Sequence, residues 1–210
     1  MAQPLEDLLL PDVLDLLSPG WRGPDVRRVR GVDLDVTLIP APLREKAVLA
    51  YERGDALDFL SLADNVVGVE LLHPNIQAFK ERGCFETALT QAMTGTRTNN
   101  HHCHPQLSTL IRSANRQRLR AAGDPLPVRV PFRLYRGVAA RGRARRVRGY
   151  SWTVDCDQAL WFATRYDHLE DPAVFATNAS ADDVLFFDNE GHEQEFALLL
   201  SPDAKVRRMK

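Results

Sequence analysis

The spacing of apolar side chains divides the chain into two parts with different periods. Up to about residue 123 the apolar positions recur three and four apart, the period of helices with one buried stripe. Beyond it they alternate, the period of half-buried strands. Residues 5–17 predict one broken or two short helices, interrupted at Pro11. Val32, Leu34, Val36 and Leu38 alternate with Asp33, Asp35 and Thr37 and predict a strand closed by Pro40. Pro42 opens a helix that Gly54 ends, and Asp55 is placed to cap the next one, through about Leu62. Helical stretches follow at about 74–82 and 85–93, broken at Gly83. Leu107, Leu110, Ile111, Ala114 and Leu119 form one helical stripe that stops at Gly123. Asp124-Pro125-Leu126-Pro127 reads as a stiff linker and is the clearest boundary. After it the alternation predicts strands at 128–136, 149–153, 173–177, 184–187 and 193–200, with one helix at about 156–166. Helices followed by strands predict an α+β protein: a mainly helical N-terminal region, 1–123, and a small mixed β-rich core, 124–210, on which part of 42–122 packs.

Composition excludes several classes. With 44% hydrophobic and 26% charged residues over 210 positions, the chain reads as a soluble globular protein. No apolar run approaches the length of a membrane span, so no membrane partner is expected. Met1 to Leu17 carries Glu6, Asp7, Asp12 and Asp15 and no basic residue, which does not read as a secretory signal. Cys84, Cys103 and Cys156 are too few and too scattered for a disulfide framework. A cytoplasmic setting is the expectation, with delivery into a target cell by a dedicated machine as the alternative.

The net charge of −1 conceals segregation. From Arg112 to Arg148 there are twelve arginines against one acid, Asp124, a local charge of +11. From Asp155 to Glu195 there are eleven acids against Arg165 alone, a local charge of −10. Two readings follow: the stretches neutralise each other in the fold, or the arginines form a basic rim that neutralises phosphates.

Within the alternating part, three pieces carry candidate chemistry. Arg136 ends a segment in which Phe132 and Leu134 share its face; Ser151 and Thr153 share a face; so do Glu193 and Glu195, with Ala197 and Leu199 read as buried beyond them. A guanidinium, a hydroxyl pair and two carboxylates brought from strands into one cleft suit a substrate that carries both phosphate and sugar, as NAD does. Breaking the nicotinamide–ribose bond leaves an oxocarbenium-like ribose, and a carboxylate near the anomeric carbon, here Glu195, stabilises it. Arg136 forks onto phosphate oxygens better than a lysine would.

In order and context these pieces resemble the arginine–serine–glutamate class of mono-ADP-ribosyltransferases, a group that includes many bacterial toxins. In that family one strand ends in an Arg, a second carries an aromatic followed by Ser-Thr-Ser, and a third carries Glu-x-Glu or Gln-x-Glu. The matching residues are Arg136, then Tyr150-Ser151-Trp152-Thr153, then Glu193-Gln194-Glu195, and the similarity spans about 128–200. Trp152 and Thr153 depart from the Ser-Thr-Ser triplet, and the interval from Arg136 to Glu195 is shorter than in the larger toxins. The resemblance implies an ADP-ribosyltransferase core that consumes NAD as substrate and modifies a macromolecule. It implies that Glu193 orients or deprotonates the acceptor, that Ser151 holds Glu195 or the nicotinamide-side ribose, and that Thr153 supports the strand. It also implies that Gly137 lets the backbone approach the nicotinamide amide, and that Phe162 or Trp161 stacks on the nicotinamide ring. The loop Asp188-Asn189-Glu190-Gly191-His192 would recognise the acceptor. Glu-x-Glu slightly favours a protein arginine as acceptor; the arginine-rich stretch 112–148 favours RNA or DNA instead. A toxin reading adds an antitoxin or immunity protein as a partner. The alternatives are a NAD glycohydrolase, in which water is the acceptor, and a non-catalytic nucleic-acid-binding module.

Asn99-Asn100-His101-His102-Cys103-His104 invites a metal reading, but contiguous ligands diverge, and completing a site needs distant groups such as Cys84 or His73. No metal is expected.

Overall fold

The alternation around Val32 and Leu34 builds a hairpin rather than a lone strand. The computed structural model describes residues 25–64, 67–94, 104–128, 130–142, 145–166, 168–189 and 194–209; the helices expected at 5–17 lie outside these. β1 (Val26–Val29) pairs antiparallel with β2 (Val32–Asp35), with Val29 opposite Val32. Arg30 and Gly31 between them both have positive φ, 49° and 89°, the turn whose twist suits a two-residue connection. β2 stops at Asp35, short of the expected Leu38. The fully buried Asn75 takes over there: its Oδ1 accepts from the Asp35 N–H (2.7 Å), and its Nδ2 donates to the carbonyls of Asp35 and Leu71 (2.8 Å each).

Seven helices follow: α1 (Arg44–Arg53), α2 (Ala56–Ser61), α3 (Gly68–Leu72), α4 (Ile76–Arg82), α5 (Phe85–Thr94), α6 (His104–Ser113) and α7 (Arg116–Ala121). Gly54 and Gly83 end α1 and α4 in the left-handed conformation, and the Asp55 carboxylate accepts from Asp58 N–H as an N-cap. The stripe Leu107–Leu119 is split between α6 and α7. Asn115 is extended there, capping α7 at Arg118 N–H, while its own N–H donates to the buried Glu86 carboxylate at 3.0 Å. An N–H committed to a distant carboxylate cannot continue an α-helical ladder, so the helix breaks.

The alternating half forms one six-stranded sheet of β3 (Phe132–Val138), β4 (Ser151–Thr153), β5 (Ala173–Ala179), β6 (Val184–Asp188), β7 (Glu195–Leu198) and β8 (Arg207–Arg208), with α8 (Cys156–Thr164) between β4 and β5. The order across the sheet is β6-β7-β4-β3-β5-β8, every pairing is antiparallel, and the protein is α+β. Leu185, Phe186 and Ala197 on one face join the core of the helical layer. Phe132, Leu134, Trp152, Phe187, Phe196 and Leu198 on the other form a second core, against which Leu126, Leu200 and Val206 pack. Leu199 was read as continuing the buried face of Ala197, but the strand ends at Leu198 and Leu199 is 47% exposed; its N–H donates to the Asp183 carbonyl.

Helical layer and sheet are joined across residues 116–124. Arg116 donates to the carbonyls of Asp182 (2.6 Å) and Val184, and Arg120 to those of Ala181 and Val184. Asp124 N–H donates to the Phe187 carbonyl (2.7 Å), and its carboxylate accepts from Asn189 N–H (2.8 Å). No helix among the described residues is long and apolar enough to cross a membrane.

Candidate functional site

The three strands that carry the candidate chemistry are neighbours, in the order β7-β4-β3. Thr153 lies opposite Glu195 and Ser151 opposite Ala197, while β3 and β4 are joined by the single registered pair Tyr135↔Thr153. Residues opposite each other share a face, so Ser151, Thr153, Glu195 and Ala197 lie on the side of the helical layer. Arg136 falls on the other side by alternation, with Phe132 and Leu134. The one-face cleft expected from sequence is therefore a junction: the Arg136 guanidinium sits beside β4, where it donates from Nη1 to the Ser151 carbonyl (2.5 Å) and from Nε to the Arg146 carbonyl (3.4 Å).

Arg136 is half-buried as a residue, yet protein atoms crowd its guanidinium. Burial pulls its pKa down to about 10, and the Glu195 carboxylate acts in the opposite direction. It is a cation throughout the neutral range, under the field of the carboxylate expected to do the chemistry. A guanidinium has five N–H donors, more than the two carbonyl bonds named above consume.

Ser151 is exposed at the start of β4. Thr153 is buried, and its hydroxyl accepts from Asp155 N–H (3.1 Å). Asp155 in turn caps α8, its carboxylate accepting from the N–H groups of Asp157 and Gln158. Thr153 thus fixes the turn from β4 into the helix. Tyr150, just before the strand, shares a hydrogen bond with Ser108 of α6 (3.0 Å), which ties β4 to the helical layer.

Glu195 is half-buried and opens β7. Gln194, just before it, has φ +46°, and the strand begins at Glu195. Glu193 itself lies outside the described residues, as do Glu190, Gly191 and His192 of the expected acceptor loop. Sequence reasoning missed the carboxylate next to Glu195 in register: Asp188, at the end of β6, lies directly opposite it. The available signal was an acidic residue closing the continuous apolar run Val184–Phe187.

Gly137 departs from expectation. A Cβ built there would lie 1.7 Å from the Ala159 carbonyl oxygen and 2.7 Å from Ala163 N, so the space a side chain would need is filled by the backbone of α8, not by an open cleft. Ala159 and Ala163 are the buried, sheet-facing residues of that helix. Trp161, two residues from each, lies on the opposite side and is 57% exposed. It meets Phe162 edge to face (centroids 5.1 Å), and the Arg165 guanidinium lies over Phe162 (4.9 Å), Trp161 (5.7 Å) and Tyr166 (4.7 Å). Trp161 thus lies on the side of α8 away from the sheet-facing alanines, and Arg165 lies over the Phe162 ring.

Much of the arginine-rich stretch is tied to the fold, although Arg112, Arg118, Arg133, Arg141, Arg146 and Arg148 remain exposed. Arg116, Arg118, Arg120, Arg136, Arg145 and Arg148 all donate to backbone carbonyls. Arg145 also pairs with Asp171, Arg118 with Glu86, and Arg141 with Glu170. The Arg145–Asp171 and Arg141–Glu170 pairs join the basic and acidic stretches, as the first of the two readings expected; the carbonyl bonds were not expected. Some of the charge is neutralised by acids, but much of it serves as hydrogen-bond donors to loops that have no ladder partner.

Among the described residues no group of three His, Cys, Asp or Glu side chains is disposed to hold a metal; residues 95–103, with most of the Asn99–His104 segment, lie outside them. Cys84 and Cys156 are free thiols. A concavity of about 370 Å³ lined by Asp35, Thr37, Leu38, Glu70, Leu71, Pro74 and Gln106 lies between the hairpin and the helices, and contains none of the candidate residues. The Arg136 junction is preferred on its chemistry. Comparison with family models, with curated proteins and with solved structures returns no match.

Proposed function

We propose that the protein is a NAD-dependent mono-ADP-ribosyltransferase, a toxin or effector that transfers ADP-ribose to a macromolecular acceptor. The observation that carries this reading is the adjacency of β7, β4 and β3, with Glu195 registered on Thr153 and the Arg136 guanidinium bonded to the Ser151 carbonyl. In it, Arg136 holds the diphosphate of NAD. Ser151 and Glu195 face the nicotinamide-side ribose, and the Glu195 carboxylate stabilises positive charge on the anomeric carbon as nicotinamide leaves. Glu193 activates the acceptor nucleophile.

A protein arginine is favoured as acceptor over RNA or DNA. Two carboxylates in register, Asp188 and Glu195, suit a guanidinium acceptor.

Incubating the purified protein with labelled NAD and a cell lysate should label a macromolecule, and Glu195→Gln should reduce the rate by about a hundredfold or more, the scale of losing a principal electrostatic stabiliser. Label released by protease and not by nuclease supports a protein acceptor; the reverse moves the acceptor to nucleic acid. Release of nicotinamide with no labelled macromolecule marks a glycohydrolase. A protein that neither binds NAD nor releases nicotinamide overturns the proposal.

A further inference from the structure

The connection between β3 and β4 closes around one side chain. Arg146 and Ser151 offer their carbonyls to Arg136 from either side, and Gly149 lies between them in sequence. A Cβ built on Gly149 would lie 2.3 Å from Arg136 Nη2, 2.5 Å from Cζ and 3.0 Å from Nε. The guanidinium occupies the volume that any other residue at 149 would fill.

The backbone at 149 is poorly placed to yield. The Gly149 carbonyl accepts from Nε1 of the buried Trp152 (2.8 Å). Arg148 donates to the carbonyls of Ser201 (2.8 Å) and Ala204 (2.7 Å). Arg145 donates to the Ala140 carbonyl (2.8 Å) and is paired with Asp171. A pinned backbone facing the far end of a long side chain leaves one inexpensive response to a larger residue at 149, displacement of the guanidinium.

We infer that Gly149 is a positioning residue: its missing side chain sets the pose of Arg136, and thereby the place where the cation meets its anionic ligand. The catalytic part of this inference rests on the proposed NAD chemistry; the geometric part does not. Gly149 contrasts with Gly137, where the conflicting atoms are helix backbone that cannot swing aside.

The experiment compares wild type, Gly149→Ala, Arg136→Ala and the double variant. Gly149→Ala should raise KM for NAD about tenfold or more, the loss expected when a charge-assisted contact is misplaced, with a smaller change in kcat. In the Arg136→Ala background the same substitution should change KM no further, because the group it displaces is gone. Two readouts are independent of NAD. In wild type the Arg136 Nε–H should be slow to exchange with solvent in ¹⁵N-labelled NMR spectra, and Gly149→Ala should speed that exchange. Should Gly149→Ala lower Tm, the double variant should recover the loss. Unchanged exchange at Arg136, equal KM effects in both backgrounds, or a Tm loss that persists without the guanidinium would each overturn the inference. Wild-type protein that does not use NAD overturns the proposed function instead, and the exchange measurement still decides the geometry.

Discussion

The helical layer and the sheet are held by different means. In the helical layer buried apolar contact dominates, with polar groups at the breaks: Asn75 closing the edge of β2, Asp55 and Asn115 capping α2 and α7, Gly54 and Gly83 ending α1 and α4, and Arg44 and Arg82 donating to the carbonyls of Ile39, Tyr51 and Glu52. In the sheet half the loops are long relative to the strands, and their carbonyls are satisfied by arginines that reach in from a distance. Carbonyls outside a ladder still require donors, and a guanidinium can serve two at once, as Arg148 does for Ser201 and Ala204. Arginine is thus a structural residue in the half that also carries Arg136, the arginine proposed to hold NAD. What separates Arg136 from its neighbours is its surroundings, a carboxylate's field and a glycine that makes room for it.

The sheet half should be most sensitive where backbone meets backbone. Gly137→Ala forces a methyl group into the Ala159–Ala163 stretch of α8, and should cost about 3 kcal/mol or more, at the upper end for overpacking, because neither a strand nor a helix backbone can move alone. Urea denaturation should show the fall in midpoint. A stability change under a few tenths of a kcal/mol would mean that α8 does not pack on β3 as described.

In the helical layer the corresponding weak point is polar. Asn75→Ala removes one acceptor and two donor bonds at a fully buried position and leaves the Asp35 backbone groups without their partner, at a cost of about 2–3 kcal/mol. Amide exchange at Asp35 should accelerate while exchange in β3 and β5 remains slow under native conditions. Equal acceleration in both regions would show that the hairpin and sheet open as one unit.

Sequence made some of this legible and hid the rest for identifiable reasons. Alternation, and for β6 a short continuous apolar run, located β3 to β7 within a few residues, and the glycines ending α1 and α4 were plain from their context. β1 went unread because Val26-Arg27-Arg28-Val29 carries charge on both central positions and its turn, Arg30-Gly31, lacks a familiar turn pair. α3 is only five residues long, too short to show a period, and β8 is two residues held mainly by its neighbour β5. At the site, Arg136, Ser151, Thr153 and Glu195 were legible as residue types in strand order. The face each takes was not, because register and the parting of β3 from β4 depend on tertiary pairing. Gly149 was invisible for the same reason: a glycine in an arginine-rich loop signals nothing until the guanidinium it accommodates is in view.

The smallest expected effect tests whether the arginine anchors of the sheet half behave as charges. Asp171 is bonded to Arg208 and Arg145, and these two hydrogen bonds hold its carboxyl below the ordinary value of 3.8. A group whose pKa is depressed in the folded state contributes stability that is complete above the unfolded pKa and is lost as pH falls through the folded one. The contribution of Asp171 should therefore be constant from neutral pH down to about pH 4 and decline below it. In Asp171→Asn the acid branch of the Tm-against-pH curve should be shallower than in wild type, while the two curves run parallel between pH 5 and 8. The carboxylate is partly exposed, so added salt should narrow the difference between the two proteins at neutral pH. If the acid branches of the two proteins coincide, Arg145 and Arg208 are held by their carbonyl and strand contacts alone, and the distinction drawn between a charged sheet half and an apolar helical layer narrows to hydrogen bonding.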